Sequence, residues 1–260
     1  MKIIIPMTGY GSRFVAAGYK DLKPFIEVQG KPIIEWIIKG MYPNETNFLF
    51  VCRKEHLDKD KSMRERLLSI APTAEIFEVD EWVKKGPVFD VLRAAKKIDD
   101  NEPCIINYCD FYMTWDWSKF KSEVINRNCD GAIPCYSGFH PNLLPEKNYY
   151  ASCLTDENDD LVEIREKYSF EKDKTKAKHS PGVYYFKNGG ILKKYCKKLV
   201  DSDQVINGEY YASLPYNFMV KDGLKVWVPV NVDKFCQWGT PEDMKEYLFW
   251  TEIARGFNRI

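Results

Sequence analysis

The chain has 260 residues, enough to bury one large core, and its 38 lysines and arginines equal its 38 aspartates and glutamates. A formal net charge of zero excludes bulk attraction to nucleic acid or to an anionic membrane, so bound phosphate must be held by a few local cations and backbone amides. No apolar run approaches the ~18 residues of a membrane span, and Pro6 cuts the first one short of a signal-peptide core, so a soluble, cytoplasmic protein is expected.

In chain order, Ile3–Ile5 reads as a strand and Pro32–Met41 as a helix with proline in its first turn. Phe48–Cys52 is a strand, Glu55–Ile70 a charged amphipathic helix and Glu75–Val79 another strand. Pro87–Ile98 is a helix whose Val88, Val91, Leu92 and Ala95 share a face, and Cys104–Cys109 is a strand ending at Asp110. Strands alternating with helices imply right-handed crossovers and a mainly parallel sheet. Ligands of such sheets bind outside the carboxyl ends of the strands, which puts the loop after Ile5 and the loop at Asp110 on one rim.

The second half differs. Gly131–Tyr136, Tyr149–Leu154, Leu161–Ile164 and Val183–Phe186 read as short strands. Helices are expected from about Gly190 and about Gly208, then a strand over Lys225–Val230. A last helix starts at Thr240-Pro241, a good cap followed by proline at the first helical position. The eight cysteines include no C-x-x-C pair and fall mostly in apolar runs. Buried, reduced thiols are therefore expected, and neither a zinc site nor a disulfide framework.

Chemistry concentrates after the first strand, in Met7-Thr8-Gly9-Tyr10-Gly11-Ser12-Arg13. Two glycines let the backbone approach a ligand and turn N–H groups toward it. Arg13 follows with a planar fork that suits phosphate oxygens, and Lys23-Pro24 is near enough to supply a second cation. Neither a G-K-[ST] P-loop nor a G-x-G-x-x-G dinucleotide fingerprint is present.

Gly9-x-Gly11-x-Arg13, Lys23-Pro24-Phe25 and Gly30-Lys31-Pro32, in that order and spacing, resemble the opening signature of the sugar-phosphate nucleotidyltransferases. The resemblance implies a three-layer, Rossmann-like α/β fold with a mainly parallel mixed sheet and a small β-rich acceptor-binding region. It implies one domain over 1–260, with 1–125 mainly nucleotide-binding and 126–260 mainly acceptor-binding. By resemblance Arg13 and Lys23 are the catalytic cations, and Thr8, Gly9, Gly11, Ser12, Gly86 and Asp110 hold the nucleotide. Gly86 opens Gly86-Pro87-Val88-Phe89-Asp90, which is similar to the family's glycine turn over the nucleoside. Asp110 matches the family's Mg²⁺ ligand, in keeping with the preference of that ion for one or two carboxylates plus phosphate oxygens.

Downstream, Glu163-Ile164-Arg165-Glu166-Lys167 resembles the E-K-P element, which assigns Glu163 and Lys167 to the acceptor. Gly182 lies in a G-x-Y-x-F match and Glu209 stands where the family has an acceptor-contacting acid. Trp238-Gly239-Thr240-Pro241-Glu242-Asp243 resembles the family's W-x-D-x-G-T-P-E-D element, but Gln237 occupies the place of its metal-binding Asp. Asp233 is the expected substitute as second metal ligand.

The implied reaction joins a nucleoside triphosphate (CTP, UTP or dTTP) to a sugar 1-phosphate or similar small phosphomonoester, with Mg²⁺ and release of pyrophosphate. A homo-oligomer is compatible with this reading. Two rivals are a nucleotide-sugar-dependent glycosyltransferase, against which stands the missing D-x-D at Asp110-Phe111-Tyr112, and a non-catalytic nucleotide-binding regulator, suggested by Gln237.

Overall fold

The computed structural model describes residues 1–80 and 82–257. Strand β1 (Lys2–Met7) runs into the short helix α1 (Ser12–Ala16), and a hairpin of β2 (Glu27–Val28) and β3 (Lys31–Pro32) follows. Then come α2 (Ile33–Glu35), β4 (Phe48–Arg53), α3 (Lys54–Lys59), α4 (Met63–Ile70), β5 (Glu75–Val79) and α5 (Pro87–Arg93). β6 (Cys104–Asn107), β7 (Phe111–Trp115), α6 (Trp117–Asn126), β8 (Gly131–Ala132), β9 (Ala151–Thr155), β10 (Leu161–Arg165), β11 (Lys178–Ser180) and β12 (Val183–Phe186) lead to α7 (Gly189–Asp201). The described chain closes with α8 (Pro215–Lys221), β13 (Val226–Trp227), β14 (Val232–Gln237) and α9 (Pro241–Phe257).

The central sheet has seven strands among the described residues, in the order β13-β8-β12-β6-β1-β4-β5. Only β12 runs against its neighbours there, pairing antiparallel with both β6 and β8. The sheet thus takes strands from both halves of the sequence. Strands β1 and β4 are buried along their whole length, as strands covered on both faces must be. Alternate residues feed two apolar layers. Ile3, Ile5, Phe48 and Phe50 pack to one side, and Ile4, Leu49 and Val51 to the other. Each such fully buried side chain contributes roughly 1.5–3 kcal/mol relative to exposure. A β10-β9-β11 sheet and a β14-β7 ribbon flank this core.

The expected α/β class with a mainly parallel mixed sheet is present, and several boundaries move for local reasons. The helix expected over Glu55–Ile70 is two helices, because Asp60 Oδ1 accepts from the N–H and hydroxyl of Ser62 at 3.0 and 2.7 Å and turns the chain between them. The helix expected from Pro32 is one α turn that widens into a π-helix over Trp36–Met41. Within it Gly40 lies on Tyr112, where a Cβ would come 2.7 Å from Cε2. The helix expected from Gly208 waits until Pro215, since Asn207 and Gly208 are both left-handed. Thr240 caps α9 as expected, its Oγ1 accepting from the N–H of Asp243 at 3.1 Å. The described cysteines are all free thiols, most of them buried. Among the described residues no helix is long and apolar enough to cross a membrane.

Candidate active site

Gly11, at φ +62° and ψ +30°, turns the chain out of β1 and into α1. This left-handed bend brings the loop against Lys23, whose Cβ would lie 3.5 Å from a Cβ on Gly11. The turn of Lys23–Phe25 then aims the Lys23 ammonium at the far rim, where Nζ reaches Asp110 Oδ2 at 2.8 Å. Asp110 stands between β6 and β7, immediately before Phe111, and is locked by its own carbonyl, which accepts from the Trp238 N–H at 3.1 Å. The first strand, the lysine turn, the central strand and the start of the last helix therefore converge on one carboxylate.

Two cavities open at this point. The first, about 440 Å³, is lined by Thr8, Gly9, Gly11, Ser12, Lys23, Gly86 and Asp90. The second, about 630 Å³, is lined by Tyr150, Glu166, Lys167, Gly182, Gln237 and Asp243. Arg13, Asp110, Tyr108 and Tyr211 line both. The junction between the cavities is thus a guanidinium, a carboxylate and two tyrosines.

Around the first cavity, Thr8 is buried and donates its hydroxyl to Asp90 Oδ2, while its carbonyl accepts from Arg53 Nε at 3.1 Å. Arg53 is itself buried, with its Cζ 3.5 Å from the Tyr10 ring centroid and 3.7 Å from that of Trp82. Gly86, at φ +88°, packs where a Cβ would come 2.8 Å from the Tyr210 backbone nitrogen. The Tyr210 N–H donates to the Lys85 carbonyl at 2.8 Å, so the turn is clamped onto the segment before α8. This clamp by itself requires glycine at position 86.

Around the second cavity, Gly182 (φ +117°) lets β12 pass Tyr108 and Phe111, each 3.0 Å from a built Cβ. Lys167 is left-handed, with Nζ 5.5 Å from the Tyr211 ring centroid. Beside it Glu166 is half-buried and accepts from the Ser213 hydroxyl, and its loss of solvent pushes its carboxyl up to about 7.

Three assignments change. Glu163 lies outside both cavities and is held by Arg165, Nε to Oε1 2.7 Å and Nη2 to Oε2 2.9 Å, so the acid beside Lys167 is Glu166. Strand alternation explains this, because Glu163 and Arg165 share a face of β10 while Glu166 leaves the strand. The signal was the direct adjacency of Glu166 and Lys167. Glu209 lines the first cavity rather than the second and pairs with Lys84 at 3.3 Å.

Asp233 cannot reach Asp110. It is exposed on β14, four residues before Gln237, which is about 13 Å of extended strand. Gln237 is the residue opposite Phe111 and beside the Asp110 carboxylate. A Cβ on Gly239 would collide with Gln237 Nε2 and come 3.5 Å from Asp110 Oδ2. No group of three or more His, Cys, Asp or Glu able to hold a metal occurs among the described residues. What is present where the cavities meet, the Asp110 carboxylate, fits a Mg²⁺ ion that arrives with phosphate oxygens and keeps several waters. It does not fit an all-protein metal cage.

Solved structures carry the same architecture. A nucleoside-diphosphate-sugar pyrophosphorylase from Vibrio cholerae RC9 superposes with a TM-score of 0.76 at 20% identity, covering 95% of this chain and 99% of that one. The fold is that of the nucleotidyltransferases. An apo UDP-glucose pyrophosphorylase matches with a TM-score of 0.74 at 16% identity over 98% of both chains. The inositol-1-phosphate CTP transferase of T. maritima gives 0.69 at 16%, over 93% of this chain and 90% of that one. No family model and no curated protein matches the sequence. The motif resemblance is thus accompanied by a resemblance of fold at low identity.

Proposed function

We propose that the chain is a nucleotidyltransferase joining a nucleoside triphosphate to a small phosphomonoester, a sugar 1-phosphate in the first instance, with release of pyrophosphate. The observation that carries the reading is that Arg13 and Asp110 line two cavities at once. A reaction between two bound phosphates needs one cationic point where both substrates meet. A phosphate oxygen of the acceptor attacks the α-phosphorus, and the bond from that phosphorus to the β-phosphate bridging oxygen breaks, leaving pyrophosphate. No residue of the chain becomes covalently attached. Arg13 and Lys23 neutralise the oxygens on which charge grows, and the cavity walls hold the two reactants in line. Asp110 would hold Mg²⁺, which supplies charge neutralisation at the phosphates. Glu166 and Lys167 would hold the acceptor.

Pyrophosphate release, measured with CTP, UTP and dTTP against a panel of sugar 1-phosphates in Mg²⁺, tests the reading. Release dependent on both substrates is the expected result. Gln237, an amide beside the Asp110 carboxylate, favours a second reading, a protein that binds nucleotide without turnover, and nucleotide binding with no pyrophosphate release from any pair would establish it.

A further inference from the structure

Asp90 stands in the first turn of α5 and lines the first cavity, yet it is only 2% exposed. Its two oxygens differ. Oδ2 accepts from the Thr8 hydroxyl and, at 3.4 Å, from Trp82 Nε1. Oδ1 is shut off from water and has no hydrogen-bond partner among the described residues. Native proteins seldom leave a buried acceptor without a donor. The nearby buried cation does not serve it, because the Arg53 guanidinium donates to the Thr8 carbonyl and to Glu55. Burial raises the carboxyl above the usual range, as expected for an acceptor lacking its donor.

We propose that Asp90 selects the base of the bound nucleotide: a small turn of its side chain into the cavity uncovers Oδ1, closed to water without ligand, and Oδ1 then accepts from a single exocyclic amino group. This rests on the nucleotidyltransferase reading. An ionised carboxylate only accepts. It matches the 4-amino group of cytosine or the 6-amino group of adenine, and it repels the 4-carbonyl of uracil and thymine. With Oδ2 already taken by Thr8 and Trp82, one acceptor remains, so the two-donor edge of guanine is only half matched. Tyr10 and Trp82, both lining the same cavity, supply apolar surface for the ring.

Asp90→Asn tests the assignment. The amide oxygen keeps the Thr8 and Trp82 contacts, and the amide nitrogen puts a donor where the wild type has an acceptor. Mg²⁺-dependent binding of CTP, ATP, GTP, UTP and dTTP is measured by calorimetry on both proteins, together with Asp90→Ser, which removes the charge. In the wild type CTP or ATP should bind about tenfold or more tighter than UTP and dTTP, the scale of a charge-assisted hydrogen bond. The CTP and ATP arms decide which amino base it is. Asp90→Asn should reverse the order toward UTP and dTTP, and Asp90→Ser should level it. Wild-type binding without preference, a preference for UTP or dTTP, or an order unchanged in a folded variant overturns the inference and leaves the nucleotidyltransferase reading intact. Should Asp90→Asn not fold, the wild-type order and Asp90→Ser decide. If no nucleotide binds the wild type, the underlying reading itself fails.

Discussion

Lys23 and Asp110 hold each other across 87 residues of sequence, Nζ 2.8 Å from Oδ2. The pair closes the rim on itself, so a bound Mg²⁺ would have to take the carboxylate while the phosphates take the ammonium. Removing the lysine then has two opposite effects. Lys23→Met should bind free Mn²⁺ more tightly than wild type, because its carboxylate is no longer neutralised. Pyrophosphate release should fall by roughly 100-fold, the scale of a lost preorganised charge stabiliser. Asp110→Asn should lose Mg²⁺-dependent nucleotide binding with the fold intact. Unchanged Mg·NTP affinity in that variant removes Asp110 from the metal role.

Gln237 and Asp233 exchange importance relative to their charges. Asp233 is exposed and far along β14, so Asp233→Ala should leave turnover unchanged. Gln237→Asp adds a second carboxylate beside Asp110 and should tighten Mn²⁺ binding, read by titration of its paramagnetic signal. An inactive Asp233→Ala protein would contradict the register described for β14.

Glu166 makes stability depend on pH in a stated direction. Its folded carboxyl titrates at about 7 against an ordinary 4.5. Between those values the native state keeps a proton that the unfolded state has released, so stability falls as pH rises and then levels off above about 7. The loss is on the order of 1–3 kcal/mol. Buried His56 and half-buried His140, pushed down to about 4, act oppositely over part of that range, because the unfolded chain binds their protons first. The contribution of Glu166 is therefore read as the difference between wild type and Glu166→Gln in urea denaturation at pH 5 and pH 7.5. Parallel stability profiles for the two proteins would show that Glu166 is not held protonated.

Gly86 and Gly18 share φ +88°, but only Gly86 has neighbours within 4 Å of a built Cβ. Gly18→Ala should cost only the backbone strain, about 1 kcal/mol. Gly86→Ala adds the collision with Tyr210 and should cost about 1–3 kcal/mol more, while weakening nucleotide binding by displacing the turn. Equal denaturation midpoints for the two variants would mean that the clamp onto Tyr210 yields freely.

Local signals carry the part of this molecule that the chain determines by itself. The apolar runs of β1 and β4 are long enough to be strands only if both faces are covered, which is what the parallel sheet provides. Gly11 before Arg13, proline at the start of α5 and Thr240 before Pro241 each act within a few residues, and each does what its backbone chemistry demands. Strand β14 and the ribbon it forms with β7 were not legible, since Val232–Gln237 mixes exposed charges with a single aromatic residue, Phe235, and its partner lies far away in sequence. The same distance decided the site. Which acid faces the second cavity depended on where β10 ends and alternation stops, so Glu166 rather than Glu163 turns inward. Whether Asp233 or Gln237 stands beside Asp110 depended on the pairing of β14 with β7. That Thr8 and Trp82 both fold onto one oxygen of Asp90 was likewise decided by packing. Short-range rules set conformation along the chain; which side chains share a cavity is set by pairing and packing between segments that the sequence keeps far apart.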